Sequence, residues 1–173
     1  IEQKEILAKV KAGGRLTTTE AVELLEVKGT DIYQVITAAE EVKQQWVGDR
    51  VTYVINYNLN LTNVCVNNCA FCGFHQDVNS SDAYQLTAQE INQHLDKAEE
   101  ANVSEICLVS GLHPEFDLST YLKIIEKIKE QLPEVHLHGI TPAELEHALR
   151  EQSLSFKEGY RLLKEAGLDS VPG

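Results

Sequence analysis

Three thiols sit in one short run, Thr62-Asn63-Val64-Cys65-Val66-Asn67-Asn68-Cys69-Ala70-Phe71-Cys72-Gly73-Phe74. Their spacing is C-x3-C-x2-C. Three thiolates on one loop can hold three irons of a 4Fe–4S cluster and leave the fourth iron without a protein ligand, open to a small molecule. The run also admits zinc, because His75 follows Cys72 by three and completes a Cys3His set. Structural zinc sites usually draw their ligands from two separated pairs, so four ligands bunched this tightly fit zinc less well. Nothing ahead of the first helix reads as a secretory signal, so disulfides are not expected and a cytoplasmic protein is. Buried structural thiols do not suit a run that contains Asn67 and Asn68. The fourth cysteine, Cys107, lies in Ile106-Cys107-Leu108-Val109 and reads as a small hydrophobe in a strand.

Other chemistry-bearing residues fall where strands should end. Ser110-Gly111-Leu112-His113-Pro114 closes one apolar run and His138-Gly139-Ile140-Thr141-Pro142 another. In parallel α/β sheets ligands gather at such C-terminal strand ends. Gly111 permits close approach of a ligand to backbone. His113 reads equally as a polar contact to a ligand or as a turn residue held by Pro114. His136 and His138 share a strand face, and a hydrogen-bonded role inside a barrel suits them better than a second metal. Tyr84 either reaches the site or packs beside it. His94 and His147 fall in helices and are expected at the surface.

Residues 1–50 read as helical. A short helix at 2–11 ends at Gly13-Gly14, and Thr17 with Glu20 forms a capping box for a helix carrying Ala21, Leu24 and Leu25. Asp31 is expected to cap a third helix, with Ile32, Val35, Ile36, Ala39, Val42 and Trp46 on one stripe. This segment is expected to cover the bottom or side of the main body. From Val51 to Leu61 the period changes to two, apolar residues alternating with Thr52, Val54, Asn56, Asn58 and Asn60, which predicts a strand. Helices boxed by Thr87/Glu90, Thr141/Glu144 and Ser155/Glu158, and one capped by Asp117, then alternate with strands at 105–110, 135–140 and 168–171. Residues 51–173 are thus an α/β fold built from successive βα units on a parallel sheet. In a barrel of such strands the asparagines line the interior. Three units and the start of a fourth do not close a barrel, so the chain is expected to be the N-terminal part of a larger protein, or to be completed by a second chain.

The 173 residues are 43% hydrophobic with net charge -12 and a pI near 4.9. That supports a real core. The acidic balance argues against nucleic acid as the main partner. No apolar run is long enough to span a membrane.

With Phe71 just before the last cysteine, the cysteine run resembles the cluster loop of the radical S-adenosylmethionine (SAM) enzymes. The resemblance extends to Asn58-Leu59-Asn60-Leu61-Thr62-Asn63-Val64-Cys65, Asp82-Ala83-Tyr84, Gly111-Leu112-His113-Pro114, His136-Leu137-His138 and Ala166-Gly167-Leu168-Asp169-Ser170-Val171-Pro172-Gly173. Together these are similar to a radical SAM group holding FO synthase subunit 2 and two menaquinone-pathway enzymes, aminofutalosine synthase and dehypoxanthine futalosine cyclase. Within it the third- and fourth-strand motifs look most like the 4-hydroxyphenyl transferases of deazaflavin coenzyme (F-420) biosynthesis. Gly139-Ile140-Thr141 and Ser110 depart from that pattern and keep the menaquinone enzymes as alternatives.

The resemblance implies the N-terminal part of a radical SAM, partial TIM-type βα barrel behind a helical segment. It implies Cys65, Cys69 and Cys72 as ligands of a 4Fe–4S cluster that chelates SAM through its open iron. Around SAM it implies Phe71 and Phe74 on the adenine side, Ser110 and Gly111 on the methionine side, and polar contacts from His113 and His138. The implied reaction makes a 5′-deoxyadenosyl radical from SAM, takes a hydrogen from tyrosine, and moves its 4-hydroxybenzyl fragment to 5-amino-6-(D-ribitylamino)uracil. Expected partners are those substrates, FO synthase subunit 1, and an electron donor such as ferredoxin or flavodoxin. The 173 residues alone are expected to be inactive.

Overall fold

The computed structural model describes residues 3–172 and divides into two compact units, Ile1–Tyr53 and Val54–Gly173. Glu2, expected to open the first helix, and Gly173, expected to close the last motif, lie outside the described residues.

The first unit is helical: α1 (Gln3–Lys11), α2 (Thr18–Leu25), a single 3-10 turn (Gly29–Asp31) and α3 (Ile32–Val47). The Thr17/Glu20 capping box forms as the sequence predicts. Glu20 is buried, and its carboxylate takes hydrogen bonds from Lys9 Nζ (2.7 Å) and from the Thr17 N–H (2.7 Å). Those bonds, Lys9 first, hold its pKa down at about 2. Two expectations fail in α3. Asp31 makes no side-chain cap, because its carboxylate is taken by Gln34 Nε2 at 3.1 Å. The expected stripe is also not a buried face. Ile32, Ile36 and Trp46 are exposed, and Ala38 is the buried residue, since α1 is the helix of this unit that α3 chiefly packs on.

The second unit carries a three-stranded parallel sheet in the order β1-β2-β3, with β1 Asn56–Asn58, β2 Glu105–Leu108 and β3 His136–Gly139. Helices α4 (Ala88–Glu100) and α5 (Leu118–Gln131) connect the strands, and α6 (Pro142–Leu149) and α7 (Phe156–Ala166) follow β3. Every cap expected here forms: boxes at Thr87/Glu90, Thr141/Glu144 and Ser155/Glu158, and Asp117 accepting from the Thr120 N–H at 2.8 Å. Helix α7 stops at Gly167, whose φ of 119° demands glycine. Asp169 and Ser170 then donate to the Leu137 carbonyl, and Gly139 donates to Ser170, so the chain begins a fourth parallel pairing beside β3.

The strands are shorter than the sequence predicts. The run from Val51 is ladder only at Asn56–Asn58, and Val51 and Tyr53 are 87% and 82% exposed. Alternation can propose a strand, but only a neighbour can pair it, and β2 offers four residues. Strand β3 stops just before Ile140, a β-branched residue held at φ 56°. Such a backbone costs about 1–3 kcal/mol and persists where the surroundings enforce it. Here Ile140 is fully buried and its N–H is bound to the Leu108 carbonyl.

Period two decides which face is covered. Tyr57, Ile106, Leu108, Leu137 and Gly139 face the helices, where Leu95, Tyr121, Ile125, Ile128, Leu145 and Leu163 complete the core. Each fully buried Leu or Ile there stabilises the fold by about 1.5–3 kcal/mol. The opposite face carries Asn56, Asn58, Glu105, Cys107, His136 and His138, in register across the strands. His94 is not a free surface residue as expected. It faces the sheet and its Nδ1 shares a 2.7 Å hydrogen bond with the Tyr57 hydroxyl.

Candidate functional site

The cysteine loop leaves β1 through a buried run, Leu59 to Val64, whose polar members tie it down. Leu61 N–H donates to Ser110 Oγ at 2.8 Å. Thr62 Oγ1 donates to the Tyr84 carbonyl at 2.6 Å and accepts from the Val64 N–H at 3.0 Å. Asn63 clamps the return segment from both sides: its amide donates to the Asp82 carbonyl and its Oδ1 accepts from the Tyr84 N–H, both at 2.8 Å. The loop's neck is closed by Cys65 N–H to the Gln76 carbonyl (3.2 Å) and Gln76 N–H to the Asn63 carbonyl (2.9 Å). Val66 N–H reaches across to the Leu112 carbonyl at 3.0 Å.

Beyond the neck the loop is open to water. Cys65 is half-buried, Cys69 and Cys72 are exposed, and all three are free thiols. A turn with Cys72 N–H on the Cys69 carbonyl (3.0 Å) holds the last two on one tip. Among the described residues no three His, Cys, Asp or Glu side chains converge on one point as a finished metal cage. The donor set still suits an iron–sulfur cluster: three unpaired thiols on one loop, fixed at its neck and free at its tip.

A cavity of about 230 Å³ lies against this loop, lined by Asn60, Cys65, Cys72, Phe74, His75, Val109, Ser110 and Gly111. It therefore joins Cys65, Cys72, Phe74, Ser110 and Gly111, five of the residues singled out in the sequence. Asn60 is the asparagine of β1's exit that reaches it. Phe71 is 96% exposed at the tip, away from the cavity wall. Tyr84 packs edge-on against Phe74, ring centroids 6.3 Å apart.

Gly111 is needed for a reason the sequence did not give. A Cβ there would strike the Val64 carbonyl, with Val64 C at 2.8 Å and Asn63 C at 3.2 Å. The close approach is that of the cysteine loop itself, sealed by Gly111 N–H to the Thr62 carbonyl at 3.0 Å.

The two remaining residues of the expected set stand apart from the cavity. His113 is 6% exposed, its Nδ1 accepts from the Glu115 N–H (3.2 Å), and its ring lies 4.9 Å from that of Phe116. Burial lowers its pKa and favours the neutral ring. His147, expected at the surface, is half-buried and donates from Nε2 to the His113 carbonyl at 2.7 Å. His138 lies on the polar face of the sheet, and its Nδ1 shares a 2.7 Å hydrogen bond with Ser170 Oγ.

Sequence reasoning saw Glu144 only as a cap. It is 1% exposed, and while Oε2 serves Thr141, Oε1 accepts the Ser110 N–H at 2.9 Å. One carboxylate thus ties the start of α6 to the wall of the cavity. The only advance signal was its place in a box directly after a strand end. Burial raises its pKa above the ordinary 4.5. The folded state then holds its proton more tightly than the unfolded chain. Its contribution is fully present below the unfolded pKa and is lost as pH rises through the folded one. Glu144→Gln should flatten that segment of the stability–pH curve above about pH 4.5, as measured by urea unfolding across pH 4 to 8. An unchanged slope would show that Glu144 is not the group responsible.

A profile of the radical SAM superfamily matches residues 59–173. The 5-amino-6-(D-ribitylamino)uracil–L-tyrosine 4-hydroxyphenyl transferase of Methanoculleus marisnigri is 41% identical over 98% of this chain and 46% of its own length. The protein of the same name from Methanopyrus kandleri is 39% identical over 96% of this chain and 45% of its own. The FeFe-hydrogenase maturase HydG of Carboxydothermus hydrogenoformans superposes with a TM-score of 0.68 at 25% identity, over 98% of this chain and 37% of that one. The chain spans about half the length of the curated relatives it matches.

Proposed function

This chain belongs to the radical SAM superfamily, and on that premise we propose that it carries the cluster loop and part of the SAM pocket of a 4-hydroxyphenyl transferase acting on tyrosine and 5-amino-6-(D-ribitylamino)uracil. The carrying observation is the cavity that joins Cys65 and Cys72 to Phe74, Ser110 and Gly111 at the strand ends. The names of the relatives support the substrates.

When bound, the cluster supplies the electron that cleaves SAM to a 5′-deoxyadenosyl radical. Cys65, Cys69 and Cys72 would be its thiolate ligands. The chain's own part is positional. Thr62, Asn63 and Gln76 fix the neck of the loop, and Glu144 and Ser110 fix the wall opposite. Phe74, with Tyr84 behind it, provides an apolar side suited to an adenine ring. Backbone at Ser110 and Gly111 suits the polar end of methionine. His113, from within its turn, and His138, from the sheet's polar face, are the further polar contacts we propose. Phe71, at the exposed tip of the same loop, is the further apolar contact we propose for the adenine side. An electron donor of the ferredoxin or flavodoxin class and FO synthase subunit 1 are the proposed partners, and the cytoplasm the proposed compartment. No described helix is long and apolar enough to cross a membrane.

Anaerobic reconstitution with iron and sulfide, followed by metal analysis and EPR of the reduced protein with and without SAM, tests this reading. About four irons per chain and a signal that changes with SAM are expected. Bound zinc, or a cluster whose signal ignores SAM, would overturn it.

A further inference from the structure

The polar face of the sheet holds an arrangement outside the cysteine loop and the cavity against it. His136 Nε2 and His138 Nδ1 both lie 2.7 Å from one atom, Ser170 Oγ. A hydroxyl has one proton to give. It can donate to one ring and must accept from the other. If His138 Nδ1 donates to the oxygen, the hydroxyl donates to His136 Nε2, and both neutral rings carry their proton on Nδ1. If His136 Nε2 donates, the hydroxyl serves His138 Nδ1, and both rings carry it on Nε2. The two tautomers are locked together and exchange together.

The outer nitrogens of this unit, His136 Nδ1 and His138 Nε2, have no hydrogen-bond partner among the described residues. His136 is exposed and His138 is half-buried. The charged neighbours are otherwise engaged. Glu105, in register with His136, accepts from Asn56 Nδ2 at 2.7 Å. Asp169 is held by the Leu137 N–H (2.8 Å) and Lys129 Nζ (2.7 Å). Cys107, in register with His138, is a thiol whose pKa burial raises, and Asn58 lies beyond it. The unit is therefore a path open at both ends, with its charged neighbours engaged elsewhere.

We propose that His136, Ser170 and His138 form a proton relay between solvent and the polar face of the sheet, with His138 Nε2 accepting a proton from the amino-acid substrate. This rests on the function proposed above. An amino acid arrives as a zwitterion, with an ammonium proton to lose. That proton moves to His138 Nε2 and the Nδ1 proton passes to Ser170 Oγ. The hydroxyl's former proton goes to His136 Nε2, and the His136 Nδ1 proton leaves to water. One proton enters and one leaves, nothing is oxidised or reduced, and the unit ends in its alternative tautomer with every hydrogen bond kept.

Long-range proton–nitrogen NMR correlation on the nitrogen-15-labelled chain reads the tautomers directly. Matched tautomers in His136 and His138 are expected, with the match lost in Ser170→Ala and restored in Ser170→Thr. Opposite tautomers, or indifference to Ser170→Ala, would overturn the relay. In a cluster-loaded protein that carries this chain together with the rest of the expected barrel, the ratio of transfer product to 5′-deoxyadenosine should fall about 100-fold in Ser170→Ala, the scale of a lost acid–base step, and recover in Ser170→Thr. An unchanged ratio would also overturn it. A cluster whose EPR signal ignores SAM would instead sink the radical SAM reading, leaving the tautomer pairing to be judged by NMR alone.

Discussion

Cys69→Ala and Cys72→Ala should each reduce iron after anaerobic reconstitution from about four atoms per chain to well under one, and abolish the EPR signal that responds to SAM. The reason is arithmetic: three thiolates from one loop leave one open iron, and two leave a cluster with too few protein ligands. Both side chains are exposed, and neither belongs to the core. Their removal should therefore leave Tm within about 2 °C of wild type, so that lost iron reports a lost ligand and not a lost fold. Cys65→Ala should behave alike in iron content. Its backbone N–H still closes the neck on Gln76, so the loop's path survives the loss of its sulfur. Cys107→Ala is the control and should load iron normally, because that thiol belongs to β2 and not to the loop. Iron retained at four per chain in Cys69→Ala would remove this residue from the ligand set.

Gly111→Ala should be the costliest single methyl group in the second unit. The added carbon meets backbone atoms of Val64 and Asn63, which cannot rotate away as a side chain would. Something must shift, and both sides of the contact belong to the site: the neck of the cysteine loop and the wall of the cavity. Overpacking of this kind costs about 3 kcal/mol, or roughly 6–12 °C in Tm for a chain of this size. Iron loading should fall with it, since the loop is displaced at its neck. Gly111 is not among the residues at positive φ, so the requirement is one of space and not of backbone conformation. A variant with unchanged Tm and full iron would show that the loop can yield there at no cost.

How far the sequence carried depended on the range of the interaction. The capped helices were legible because a hydroxyl and a glutamate three residues apart bond each other whatever surrounds them. Strand limits were not. The alternation from Val51 to Leu61 is real, but Val51 to Val54 find no backbone partner among the described residues, and pairing is a property of two segments. The cysteines, Ser110 and Gly111 could be placed at one rim because strand ends in a parallel sheet lie side by side. The second bond of Glu144, the clamp of Asn63 on Tyr84 and the burial of His113 join segments that only the fold brings together. Asn63 and Thr62 left one trace in the sequence, polar residues set between Leu61 and Cys65 where an apolar strand should simply have ended.

The order β1-β2-β3 is also the order of synthesis. Each new strand joins the edge made by the one before it, and Ser170 joins β3 in the same way. No strand waits for a later one to be slipped in between. A nascent chain can thus lay down the sheet one βα unit at a time as it leaves the ribosome, always adding to the edge opposite β1. The neck of the cysteine loop leans on Gly111 and Leu112, which follow β2. On the proposed reading, iron delivered to the loop therefore gains nothing from arriving before β2 has docked.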